Sequence, residues 1–115
     1  MALRFSEICI DARDIHALGQ WWSRALNWPA EITEDGDVLL RPPGGAAPGW
    51  LFLAVPEGKT VKNRIHFDFT PDDQQAEVDR LLGLGARRVD IGQGEQSWVV
   101  LADPEGNEFC VLSAQ

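Results

Sequence analysis

The sequence predicts an α+β fold made of two βαβββ modules. Three observations carry this. Short period-two segments recur along the chain, only two stretches place apolar residues at helical spacing, and the order strand, helix, three strands occurs twice. The two copies superpose at an offset of 59 residues at the start and 58 near the end, with Glu7 on His66, Asp14 on Asp73 and Phe52 on Cys110. Each module has one helix to cover one face of its sheet, so the other face must be covered by its twin or surround a cavity.

The elements of module one follow in order. Phe5 to Asp11 alternates, with Ser6, Ile8 and Ile10 on one face and Phe5, Glu7, Cys9 and Asp11 on the other, and reads as a strand. Asp14 offers a helix N-cap, and Ile15, Leu18, Trp22, Ala25 and Leu26 form a stripe behind it. Trp21 is one step off that stripe, which suits a cleft edge or a subunit contact, and Trp28 plugs the helix end. Pro29 stops the helix, because its ring clashes with the preceding turn and it has no N–H. Ala30 to Thr33 and Val38 to Arg41 flank Asp35-Gly36, a strong hairpin signal. Pro42 to Gly49 reads as a loop, and Trp50 to Val55 as the fourth strand.

Module two repeats the plan. Arg64 to Thr70 alternates, with Arg64, His66, Asp68 and Thr70 on one face and Ile65, Phe67 and Phe69 on the other, toward the helices. Thr70-Pro71-Asp72-Asp73 reads as a helix start with the threonine at N-cap and the proline at N1. Val78, Leu81 and Leu82 form the stripe, and Gly83 or Gly85 ends it. Ala86 to Ile91 and Ser97 to Ala102 read as strands around the polar turn 92–96. Asp103 to Asn107 is a turn, and Glu108 to Ser113 the last strand.

The 115 residues fit one domain, 1–115, with module one over about 3–56 and module two over about 62–114. Eighteen acids against ten Lys and Arg give a net charge of −8, which argues against a nucleic-acid partner, since phosphate backbones are bound by clustered cations. No apolar run reaches the roughly 20 residues of a membrane span. The start, Met-Ala-Leu-Arg-Phe followed by Glu7, Asp11 and Asp14, does not read as a signal peptide, so a cytoplasmic protein is expected. Two cysteines make no disulfide framework, and there is no phosphate loop, Gly-x-Ser-x-Gly or Cys-x-x-Cys.

Three stretches carry a resemblance: Asp103-Pro104-Glu105-Gly106-Asn107-Glu108-Phe109, Lys62-Asn63-Arg64-Ile65-His66-Phe67-Asp68, and the helix ending Ala25-Leu26-Asn27-Trp28. With the paired βαβββ order they resemble the glyoxalase-like domain family of the vicinal oxygen chelate superfamily. That superfamily holds glyoxalase I, the extradiol dioxygenases and the bleomycin- and fosfomycin-resistance proteins. The resemblance covers essentially the whole chain. It implies a curved mixed sheet around a cleft, a homodimer, and, in metal-dependent members, ligands from the first and fourth strand of each module. Those positions here are Glu7, Phe52, His66 and Cys110. Phe52 cannot ligate, and Cys110 stands where the family usually has Glu. The expectation is therefore no resident cofactor. The alternative is a divalent metal (Zn, Ni, Mn or Fe) held by Glu7, His66 and Cys110. Asp68 and Glu108 are possible substitutes, displaced by two strand residues, about 6.6 Å.

The candidate site is read from the same segments. Arg64, His66 and Asp68 share one strand face, where charged groups must pair or bind something, unless the strand is a solvated edge. Arg64 suits an anionic group or the carboxylate of Glu7 or Glu108. His66, with Glu7 as the other candidate, suits proton transfer. His16, on the first helix, is expected to be exposed and without a role. Trp50, Phe52 and Trp98 supply aromatic walls, and Glu108 is a further ligand-binding candidate. Three functions stay open: a protein that binds a small organic molecule without a complete metal site, a metal-dependent lyase, isomerase or dioxygenase, and a non-catalytic dimerising module.

Overall fold

A computed structural model describes residues 3–45, 47–90, 92, 94 and 96–114. The chain divides between Gly58 and Lys59 into two compact units, each with a four-stranded mixed sheet and one α-helix, the first also carrying a 3-10 turn at Pro43–Gly45. No helix among the described residues is long and apolar enough to cross a membrane.

The first unit contains β1 (Glu7–Ala12), α1 (Ile15–Leu26), β2 (Ala30–Ile32), β3 (Val38–Leu40) and β4 (Gly49–Ala54). Its strand order is β1-β4-β3-β2, with β1 parallel to β4 and the other pairs antiparallel. The Asp14 carboxylate accepts from the Ala17 N–H at 3.0 Å, and Asn27, at φ 56°, closes α1 in the left-handed region. Gly36, at φ 89°, lets Thr33 and Asp37 close the β2–β3 hairpin through Thr33 N–H to Asp37 O at 2.9 Å.

Register sets which side chains share a face. Ile10 lies opposite Phe52, Val38 opposite Phe52 and Leu40 opposite Trp50. This face meets α1: Trp22 and Trp50 have ring centroids 5.0 Å apart, and a Cβ on Gly19 would run into Val38 and Phe52. Trp50 and Phe52 are fully buried there, so they are core side chains under the helix rather than the expected cleft walls. Trp21 is likewise buried, at 4.9 Å from Trp22, not at an edge. The opposite face carries exposed Glu7, Cys9 and Asp11 with half-buried Leu39, Leu51 and Leu53.

The second unit contains β5 (Phe67–Phe69), α2 (Gln74–Leu84), β6 (Arg87–Arg88), β7 (Val99–Ala102) and β8 (Glu108–Val111), in strand order β5-β8-β7-β6. The βαβββ plan thus occurs twice with the same strand order. Phe52 follows its parallel partner Ile10 by 42 residues, and Val111 follows Phe69 by 42. An offset of 59 therefore relates β1 and β4 to β5 and β8, which corrects the expected match of Phe52 with Cys110. The counterpart of Cys110 is Leu51, and that of Phe52 is Val111.

Four elements differ from expectation. The strand expected from Arg64 begins only at Phe67, because its parallel partner β8 begins at Glu108, directly after the 103–107 turn. Ile65, expected to face the helices, is 75% exposed. Helix α2 is capped by Asp73, which accepts from the Ala76 N–H at 3.1 Å, and not by Thr70. A carboxylate both accepts that bond and favours the positive end of the helix dipole, so it is the better cap. The strand at Ala86 shrinks to Arg87–Arg88, and Trp98 lies on a bend before β7 rather than on a strand. Ala46, Ile91, Gln93 and Glu95 of the expected loop, strand and turn lie outside the described residues.

Candidate functional site

The second unit brings together most of the residues singled out by the sequence. Phe67, Phe69, Phe109, Val111 and Leu101 share the apolar face of its sheet, with Phe69 and Phe109 5.9 Å apart. By the module correspondence this is the face that α2 covers with Val78 and Leu81. Asp68, Glu108 and Cys110 alternate onto the other face.

Asp68 pairs in register with Cys110 across the parallel β5–β8 ladder, and the thiol is hydrogen-bonded to its carboxylate. Burial, reinforced by the Asp68 charge, pushes the Cys110 thiol up to about 11, while the nearby Lys62 ammonium works the other way. Cys110 is therefore a protonated, unreactive thiol at neutral pH.

Glu108 is fully engaged, which a free ligand-binding carboxylate would not be. One oxygen accepts from Lys59 Nζ at 2.8 Å and the other from the Asn63 N–H at 2.9 Å. Both ionic side chains are largely shielded from water. Burial works to raise the Glu108 carboxyl, but the Lys59 and Asn63 hydrogen bonds outweigh it and hold it below the usual range. Lys59 therefore occupies the partner position expected for Arg64.

The turn preceding Glu108 supports the same clasp. Asp103, 1% exposed, accepts from the N–H groups of Glu105 and Asn107 at 2.9 and 3.0 Å, and from the Asn107 side chain. Asn107 in turn accepts from Asn63 Nδ2 at 3.2 Å. Sequence reasoning missed Lys59, Asn63 and Asn107. The spacing of an Asn-containing segment 45 residues before an acid carries no local signal, since only the fold joins them.

The clasped segment carries the remaining candidates. His66 is half-buried, and its Nε2 is shielded from water without a hydrogen-bond partner. Arg64 and Lys62 are exposed and make no hydrogen bond or ion pair among the described residues. Trp98 is half-buried on its bend. In the first unit Glu7 is exposed at the start of β1, and His16 is exposed on α1 as expected. An open depression of about 440 Å³ lies at the start of α2, lined by Thr70, Pro71, Asp72, Asp73, Ala76 and Glu77, and none of the candidate residues lines it.

These donors do not fit a resident metal. Among the described residues no three His, Cys, Asp or Glu side chains are grouped to hold an ion. The module-one counterpart of Cys110 is Leu51, which has no donor.

The comparisons with known proteins agree with this architecture. A family model described as glyoxalase-like domain matches residues 7–112. Among solved structures, the chain is similar to a glyoxalase/bleomycin resistance protein/dioxygenase family enzyme from Burkholderia phytofirmans, at 19% identity and a TM-score of 0.72, covering 96% of this chain and 98% of that one. It is similar to the fosfomycin resistance protein FosX from Listeria monocytogenes, solved with Mn(II) and sulfate, at 12% identity and a TM-score of 0.74, covering 100% and 93%. It is also similar to the hypothetical protein SA1046 from S. aureus, at 12% identity and a TM-score of 0.72, covering 99% and 96%. No curated protein matches the chain.

Proposed function

The chain belongs to the glyoxalase-like domain family, and from that premise we propose that it binds a small organic molecule in its second module, beside His66, without a resident metal. The observation that carries the reading is the His66 Nε2, buried and unpartnered. A buried nitrogen left unpaired costs about 1–3 kcal/mol, a cost that a ligand's donor or acceptor would offset. Asp68, the hydrogen-bonded Cys110 thiol and half-buried Trp98 supply polar and apolar surroundings in the same module. The imidazole is the group suited to hold or move a proton of the bound molecule, and whether a reaction follows depends on that proton. The metal-dependent alternative has the Mn(II) of the Listeria protein as its precedent, but no three donors are grouped among the described residues.

The test is a screen of small acids, amides and aromatics against chelator-treated protein. Melting temperature is read together with the ring-nitrogen resonances of His66 and His16. A ligand should raise the melting temperature and shift His66 alone, and His66→Gln should abolish both effects. Stabilisation that appears only after a divalent metal is added would sink the reading. A homodimer is part of the proposal, and light scattering that gives a monomer mass at high micromolar concentration removes it.

A further inference from the structure

We propose that the segment 59–66 is a strap that binds a small organic oxyanion, with Lys62 and Arg64 as its charged contacts and His66 Nε2 as a hydrogen-bond contact. The inference rests on the small-molecule reading above and adds the ligand's charge class and the residues that hold the strap.

Three observations converge on it. First, the strap is held in place before any ligand arrives. Glu108 uses one oxygen on the Lys59 ammonium and the other on the Asn63 N–H, and Asn63 also donates to Asn107, which is bound to buried Asp103. A segment fixed at two points loses less entropy when its side chains engage a ligand. Second, two cations, Lys62 between the clasp points and Arg64 just after them, are left over. Lys59 satisfies Glu108, so Lys62 and Arg64 have no ion pair among the described residues, although acids outnumber bases by eight in this chain. The Lys62 charge favours the Cys110 thiolate and so opposes the effect of burial there. Third, His66 Nε2, two residues after Arg64, is a buried polar atom without a partner.

Of the two acids on this face, only Glu108 has its charge compensated. Glu108 is paired with Lys59, and Asp68 receives the Cys110 thiol proton as a hydrogen bond. What remains is two cations and an imidazole against the one carboxylate of Asp68, a surplus of positive charge that suits a carboxylate or a phosphonate equally.

The experiment uses the full chain, freed of metal by chelation, at low ionic strength. Calorimetric titrations compare acetate, benzoate and phenylphosphonate with acetamide and benzamide, in the wild type and in Lys62→Gln and Arg64→Gln. Both side chains are exposed and unpaired, so the variants should melt within about 2 °C of the wild type. An oxyanion should bind at least about tenfold more tightly than its amide, each variant should lose about tenfold, and added salt should weaken binding less in the variants. Comparison of benzoate with phenylphosphonate then tells which oxyanion is preferred. If amides bind as tightly as acids, or either variant keeps the wild-type affinity, the strap is not an anion site. His66 resonances that still shift with a neutral ligand would leave the small-molecule reading standing. If neither acids nor amides bind at millimolar concentration and His66 does not move, both readings fall.

Discussion

At Gly19 the chain has no room for a side chain. A Cβ there would lie 2.6 Å from Val38 Cγ1 and 3.2 Å from Val38 Cβ. Val38 is buried under α1 with Phe52 and cannot swing into solvent. Alanine is the better helix former by about 1 kcal/mol, so propensity and packing oppose each other at this position. Packing wins, because the clash is with a β-branched side chain fixed in a sheet. Gly19→Ala should therefore destabilise the protein by about 1–3 kcal/mol, and adding Val38→Ala should recover part of that loss as a favourable coupling. Urea unfolding of the two single variants and the double variant measures it. A Gly19→Ala protein as stable as the wild type would show that the helix can lift from the sheet at no cost.

At the scale of elements, the sequence was legible where a local pattern meets a tertiary partner of the same length. Asp14 with its following stripe gave α1, and Asp35-Gly36 gave the hairpin, because capping and turn chemistry act within a few residues. The ends of strands were less legible. Arg64-Ile65-His66 alternates as well as Phe67-Asp68-Phe69 does, but only the latter has a neighbour, since β8 begins at Glu108. Alternation also cannot tell which face a helix covers. Trp50 and Phe52 share a face in the sequence, as expected, yet that face is the one under α1. An offset of 58 near the end puts Phe52 on Cys110, strand register puts it on Val111, and one residue inverts every side chain on a strand. The site was legible in part for a related reason. His66, Arg64 and Cys110 stand out by type, whereas the clasp of Lys59, Asn63 and Glu108 exists only once a 45-residue loop closes.

For the whole molecule, the groups of the candidate site set opposite limbs of the pH dependence of stability. Folding lowers the Glu108 carboxyl: burial works to raise it, but the Lys59 and Asn63 hydrogen bonds outweigh this. A carboxyl lowered by folding contributes stability above its unfolded pKa, and the contribution is lost as pH falls through the folded value. Folding raises the Cys110 thiol, chiefly by burial and then by Asp68, from 9.0 to about 11. A group raised by folding contributes fully below its unfolded pKa, and the contribution is lost as pH rises, here between 9.0 and about 11. Denaturant unfolding measured from pH 3 to pH 11 separates the two limbs. Glu108→Gln should be less stable than the wild type by about 2 kcal/mol at neutral pH, with the gap narrowing below the carboxylate range. Cys110→Ser keeps a hydrogen-bonding group opposite Asp68 but has nothing to titrate, so its stability should stay flat where the wild type falls, on the order of 2 kcal/mol by pH 11. A profile of Glu108→Gln parallel to the wild type through the acid range would mean that the ion pair with Lys59 does not hold the strap in solution.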